Sequence, residues 1–173
     1  MMSDERIVKL DVGCRPEAAI SGAFLLQSES DAILVFNAMS NDRDADGYCS
    51  PLGLAIVTFA GLRETRFGGA NDEARAEHPL YHKGMSELGY AVCEVLGSRW
   101  ASESAARAEA TARRIHGAGF AAAYAGHDFR GRHFLCLFHD SMFECLADDL
   151  RIELSGEPFD EVVRRCAQKV AAG

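Results

Sequence analysis

The most apolar stretch of the chain, Arg132 to Ala147 (RHFLCLFHDSMFECLA), alternates in the manner of a β-hairpin. A turn at Asp140 and Ser141 pairs Phe138 with Phe143, Cys136 with Cys145 and Phe134 with Ala147, which makes one face wholly apolar. The opposite face is mixed. There His133, Leu135, Leu137 and His139 stand across from Asp148, Leu146, Glu144 and Met142, so titratable groups lie among aliphatic ones.

Upstream, Arg6 to Val12 reads as a short strand that Gly13 and Pro16 close, since proline cannot donate to a ladder. Gly22 to Met39 holds two apolar runs separated by the polar segment Ser28 to Asp31, the pattern of a second hairpin. Ser40 to Pro51 is acidic and aperiodic, hence a loop, and Leu54 to Leu62 is a further strand continuing to Phe67. Paired glycines, Asn71 with Asp72, and Pro79 predict a long loop from Phe67 to Met85.

Tyr90 to Leu96 resumes strand composition. Ser98 then caps a helix over Trp100 to His116, rich in Ala, Glu and Arg, with Gly117 and Gly119 as stop signals. Its apolar face is thin, with Trp100 and Ile115 the only large members beside Ala108 and Ala112, so it belongs on the surface. At the C-terminus Phe159, Val162, Val163, Cys166 and Val170 form one helical stripe, with Pro158, Asp160 and Glu161 suited to its first turn. These elements predict a single α+β domain over residues 1–173: a mostly antiparallel, curved or barrel-like sheet, one Ala-rich helix and a C-terminal amphipathic helix that covers the sheet.

Composition narrows the partners more than the fold. A formal charge of −8 disfavours nucleic acid and anionic membranes, and no apolar run reaches the length of a membrane span or a signal peptide. The expectation is a cytoplasmic protein with a small-molecule or protein partner; nothing in the residues names a cofactor or fixes the oligomeric state. The six cysteines include no C-x-x-C pair, so reduced thiols are expected. The hairpin register puts Cys136 and Cys145 face to face, which would allow a cross-strand disulfide under oxidation.

Three groups of residues invite chemistry. Asp42, Asp44, Asp46 and Gly47 open like a calcium loop, but the twelfth position is Gly53 rather than a bidentate Glu, which leaves a solvated acidic loop. Asn71, Asp72, Glu73, His78 and Tyr81 concentrate donors, acceptors and titratable groups in one long loop, where binding functions often reside. On the hairpin, His139, Asp140 and Glu144 complete the candidate binding set. No metal site is expected, because adjacent His139 and Asp140 face opposite ways in a strand and no second imidazole has ligand spacing. Ser141 lacks the G-x-S-x-G context of an exposed nucleophile.

The segments FGGANDE, HPLY and FHDSMFEC, taken with YAVCEVLGSRW, resemble a group of uncharacterised bacterial proteins carrying FG-x-x-NDE, HPLY and HDS-x-FEC motifs. The resemblance spans Leu54 to Ala147. It departs from the pattern at Gly69 and Ala70, where an aromatic and a proline are usual, and at Met142 in place of Thr. It implies no activity, and it directs attention to the loop and the hairpin.

Two functions fit these residues. One is a binding module in which the 71–81 loop folds over the His133, His139 and Glu144 face of the hairpin. The other is a hydrolase, metal-assisted or not, with His139 or His78 as base beside Asp72, Glu73 or Glu144. Glu144 decides how to read the face, since a carboxylate among Leu135, Leu137, His139 and Leu146 must be exposed, protonated, or paired with His139 or Arg132. Glu144→Gln should lower the melting temperature if the side chain is buried and paired, and leave it unmoved if it is exposed.

Overall fold

The computed structural model describes residues 4–18, 22–69, 71 and 73–172. Among the described residues the strands are β1 (Arg6–Lys9), β2 (Arg15–Pro16), β3 (Phe24–Gln27), β4 (Asp31–Arg43), β5 (Cys49–Ala60), β6 (Glu64–Gly68), β7 (Ala91–Leu96), β8 (Arg132–Leu137), β9 (Met142–Ala147) and β10 (Asp149–Ser155). The helices are α1 (Arg99–His116), a short α2 (Phe120–Ala123) and α3 (Phe159–Ala172). Three single 3-10 turns, Arg75–Glu77, Tyr81–Lys83 and Met85–Glu87, punctuate the long loop. The protein is α+β, and no described helix is long and apolar enough to cross a membrane.

The strands form two open antiparallel sheets. One has the order β1-β7-β8-β9-β6; the other has the order β10-β5-β4-β2, with β3 also on β4. Their inner faces share a core in which Phe59 meets Phe134 and Phe143, and Phe36 meets Phe138, with ring centroids 5.0 to 5.7 Å apart. Each outer face is covered too. Leu80 and Met85 of the loop pack on Cys93, Leu135, Leu137 and Met142, while Val162 and Cys166 of α3 pack on Ile33, Val35, Leu54 and Ile56. Burial on both faces explains why β4 runs Ala32 to Phe36 without a polar interruption.

Four sequence expectations change. The single strand expected from Leu54 to Phe67 is two, because Gly61 at φ 65° turns the chain from one sheet into the other. A side chain at Gly61 would also collide with the Asp148 carboxylate, which Arg63 holds. The acidic loop from Ser40 to Pro51 is largely paired strand around a tight turn: Asp44 Oδ1 accepts from the Asp46 and Tyr48 amides, so it is used as a turn former. Ile115 is 68% exposed, whereas Ala101, Ala105 and Ala112 form the buried side of α1.

The fourth change is the hairpin register. Leu137 pairs with Met142, Leu135 with Glu144 and Phe134 with Cys145, so Phe138 to Ser141 is a four-residue connection closed by the Phe138 amide on the Ser141 carbonyl. A shift of two residues keeps every side chain on its expected face, as strand periodicity requires, but changes each cross-strand neighbour. Cys136 stands opposite Phe143 and Cys145 opposite Phe134, and both thiols are free and buried.

The docking of α3 is testable at Val162, which is fully buried, rather than at the half-buried Val163. Val162→Asp places an unpaired carboxylate under the sheet and should lower the melting temperature by about 10 °C, with a smaller loss for Val163→Asp. Thermal melts followed by circular dichroism check the order of the two.

Candidate functional site

Glu144 sits in the middle of β9 on the outer face, at 5% exposure, so its charge must be answered by protein groups. Three side chains from three other elements reach it. His133 Nε2 of β8 lies 3.4 Å and His78 Nε2 of the loop 3.6 Å from Oε1, and Arg66 of β6 lies 3.7 Å from Oε2. Burial alone would push the Glu144 carboxyl up, but the two imidazoles overcompensate and hold it at about 2.

The loop delivers His78 by backbone means. His78 precedes Pro79 and takes the extended conformation (φ −73°, ψ 136°) that a residue before proline prefers. Its Nδ1 accepts the Leu80 amide at 3.2 Å, which places the ring proton on Nε2, toward the carboxylate. Arg75 pins the loop to the hairpin through a 2.5 Å bond to the Phe138 carbonyl.

On the far side of His133 stands Ser98. Gly97 at φ 64° turns the chain from β7 into α1, and Ser98 caps the helix by accepting the Ala101 amide at 3.1 Å. The same hydroxyl lies 2.9 Å from His133 Nδ1. The hydroxyl oxygen keeps a second lone pair after accepting the Ala101 amide, so this contact is made either by the hydroxyl donating to Nδ1 or by Nδ1–H donating to the hydroxyl; in the first tautomer the ring proton sits on Nε2, facing Glu144. At 3.4 Å that contact is longer than a well-formed hydrogen bond, and Nε2 has no other partner. Trp100 packs edge-on against the His133 ring at 5.0 Å, and Arg66 lies over the Trp100 ring at 4.0 Å. Glu64 fastens the helix to β6 by accepting from Trp100 Nε1, Ser104 and Arg107.

A cleft of about 850 Å³ opens beside Ser98 and His133. Four of its six charged lining residues are cationic: Lys83, Arg99, Arg130 and Arg132, against Glu5 and Glu94. Arg132 is committed to Glu94 at 2.7 Å and Arg99 to Glu103 at 2.7 Å, whereas Lys83 and Arg130 enter no ion pair among the described residues.

Of the residues singled out from sequence, the structure brings His78, His133 and Glu144 together. Asp72 lies outside the described residues. Asn71 closes a turn by accepting the Ala74 amide, Glu73 is exposed, and Tyr81 packs on His82. His139 bonds Asp140 at 2.8 Å on the hairpin connection; Arg132, the other expected partner, is turned toward Glu94 and Asp149. The His139 assignment fails through the two-residue register shift, which makes His133 the diagonal neighbour of Glu144, and the Arg132 assignment fails because strand alternation puts Arg132 on the opposite face, with Glu94. Ser98, Arg66 and Trp100 are the members that sequence reasoning did not place in the site, and His133, expected on the face, was not expected as the partner of Glu144. No group of three or more His, Cys, Asp or Glu among the described residues is arranged to hold a metal ion.

Set beside known protein families, characterised proteins and solved structures, the chain matches none.

The ionised Glu144 contributes stability that is complete above an unfolded-state pKa of about 4.3 and is lost as the pH falls toward 2, amounting to ~3 kcal/mol. Urea unfolding between pH 5 and 2 should therefore show a steep acid loss in the parent, with pH values chosen to bracket that window. Glu144→Gln should be less stable at neutral pH and flatter in that range. An unchanged acid slope in the variant would assign the loss to other carboxylates.

Proposed function

We propose that the domain is a small cytoplasmic binding module for a compact anionic molecule, held in the cleft beside His133 and Ser98. The observation that carries this reading is the concentration of Lys83, Arg99, Arg130 and Arg132 around one cavity in a chain of net charge −8. Such a local reversal of sign attracts and orients an anion, while the acidic remainder disfavours a long polyanion such as nucleic acid. The cleft volume falls within the range of small-ligand sites. The loop supports the site from behind, fixing Glu144 through His78 and contributing Lys83 to the rim. Buried free thiols fit a reducing compartment.

A hydrolase is the second reading, and one specific observation favours it: a hydroxyl, an imidazole and a carboxylate stand in sequence at Ser98, His133 and Glu144.

Titration calorimetry with pyrophosphate and citrate tests the first reading. Binding should weaken as salt is raised, and the double variant Lys83→Ala/Arg130→Ala should weaken it by about tenfold or more without lowering the melting temperature. Absence of binding to the parent, or equal binding to the variant, would remove the cleft as an anion site.

A further inference from the structure

A capping serine needs only its oxygen, which accepts the helix amide. Ser98 goes further. Its hydroxyl also lies 2.9 Å from the Nδ1 of an imidazole that is itself 4% exposed, and the other nitrogen of that ring faces a buried carboxylate. Nothing in helix capping calls for either group. The order hydroxyl, imidazole, carboxylate is the one in which a base abstracts a hydroxyl proton while an acid orients the ring and stabilises the imidazolium that forms. The ring presents Nδ1 to the hydroxyl and Nε2 to the carboxylate; what the chemistry requires is a lone pair toward the hydroxyl and an N–H toward the acid, and the tautomer protonated at Nε2 supplies both.

Position supports the same conclusion. Ser98 and His133 both line the 850 Å³ cleft, each from a largely buried position at 5% and 4% exposure, while Glu144, equally buried, lies behind the ring and does not line it. The ring cannot swing freely, because Trp100 abuts it edge-on and Arg66 covers Trp100. Ser98 follows a glycine of positive φ at a strand-to-helix turn, although its surroundings, L-G-S-R-W, lack the second glycine of the familiar elbow motif.

We propose that Ser98 is a nucleophile for ester hydrolysis, with His133 as its general base and Glu144 as a positioning residue, acting on a small ester that carries an anionic group. Only the anionic part of the substrate class rests on the binding reading of the cleft. In the first half-reaction Ser98 Oγ bonds to the ester carbonyl carbon and its proton passes to His133 Nδ1. The carbon–oxygen bond to the alcohol then breaks, and the imidazolium returns the proton to the departing oxygen. In the second half-reaction water, deprotonated by His133, attacks the acyl-serine; the carboxylic acid leaves and Ser98 regains its proton. The net change is ester plus water to acid plus alcohol.

The test uses the full chain and a fluorophosphonate probe, with intact mass and peptide mapping, alongside hydrolysis of p-nitrophenyl acetate and the p-nitrophenyl monoester of succinic acid. The parent should carry one adduct, on Ser98, and should prefer the anionic ester. Ser98→Asn retains a strong capping residue, so it should keep the parental melting temperature while losing the adduct and the hydrolysis. His133→Gln should slow labelling by about a hundredfold or more, and Glu144→Gln should slow it and displace its pH profile. No adduct on the parent, an adduct elsewhere, or equal labelling of Ser98→Asn would overturn the proposal; an unchanged pH profile in Glu144→Gln would overturn the role given to Glu144. Labelling of Ser98 with no preference for the anionic ester and no pyrophosphate binding would uphold the nucleophile and sink the anion reading. Pyrophosphate binding without labelling would do the reverse.

Discussion

A carboxylate taken out of water needs compensation worth several kcal/mol, and the outer layer of the first sheet is arranged to provide it for Glu144. The groups that supply it come from separate elements: His133 from β8, His78 from the loop, Arg66 from β6. Each brings its own anchors. His78 is held by the Leu80 amide, His133 by Ser98 and Trp100, and Arg66 by the Trp100 face. The loop, the edge strand and, through His133 and Ser98, the N-terminal end of α1 therefore converge on one charge, and the cleft lies beside the Ser98 and His133 end of that line.

Other carboxylates explain how an alanine-rich helix with little apolar surface keeps its place. The buried side of α1 is Ala101, Ala105 and Ala112, which contribute small areas. Polar contacts fix the rest: Glu64 accepts from Trp100, Ser104 and Arg107, and the Arg99 amide donates to Glu5. A helix docked this way is located by direction-specific bonds at its first turns, which suits an element whose first turn carries Ser98.

How much of this is legible in the sequence depends on the range of each interaction. The two faces of the 132–147 hairpin followed from period-two alternation alone, and they survive because the register moved by an even number of residues. The identity of Glu144's partners did not follow, since it hinged on whether the connection held two residues or four. The stripe of α3 was readable from spacing, although Val162 rather than Val163 proved the buried contact. Gly61 was readable as a glycine, yet its role in passing the chain between sheets depends on Asp148, far along the sequence. Ser98 was recognisable as a cap; that its hydroxyl also meets an imidazole 35 residues later was beyond any local pattern.

The polar network is also costly compared with what could replace it. Glu144 is surrounded on its face by Leu135, Leu137 and Leu146, and an aliphatic residue there would extend the apolar layer that Leu80, Met85 and Met142 already form. Replacing a buried ionic group by well-packed hydrophobic residues is often neutral or stabilising, so packing alone gives no reason to place a carboxylate, two imidazoles and a hydroxyl in that layer. Violations of local design rules concentrate at functional sites. The violation here is not scattered: it runs as a single connected line from the depth of β9 to the wall of a cleft, ending on a hydroxyl. A network needed merely to satisfy its own members could end in the interior or in bulk water, whereas this one ends at a cavity rimmed with positive charge.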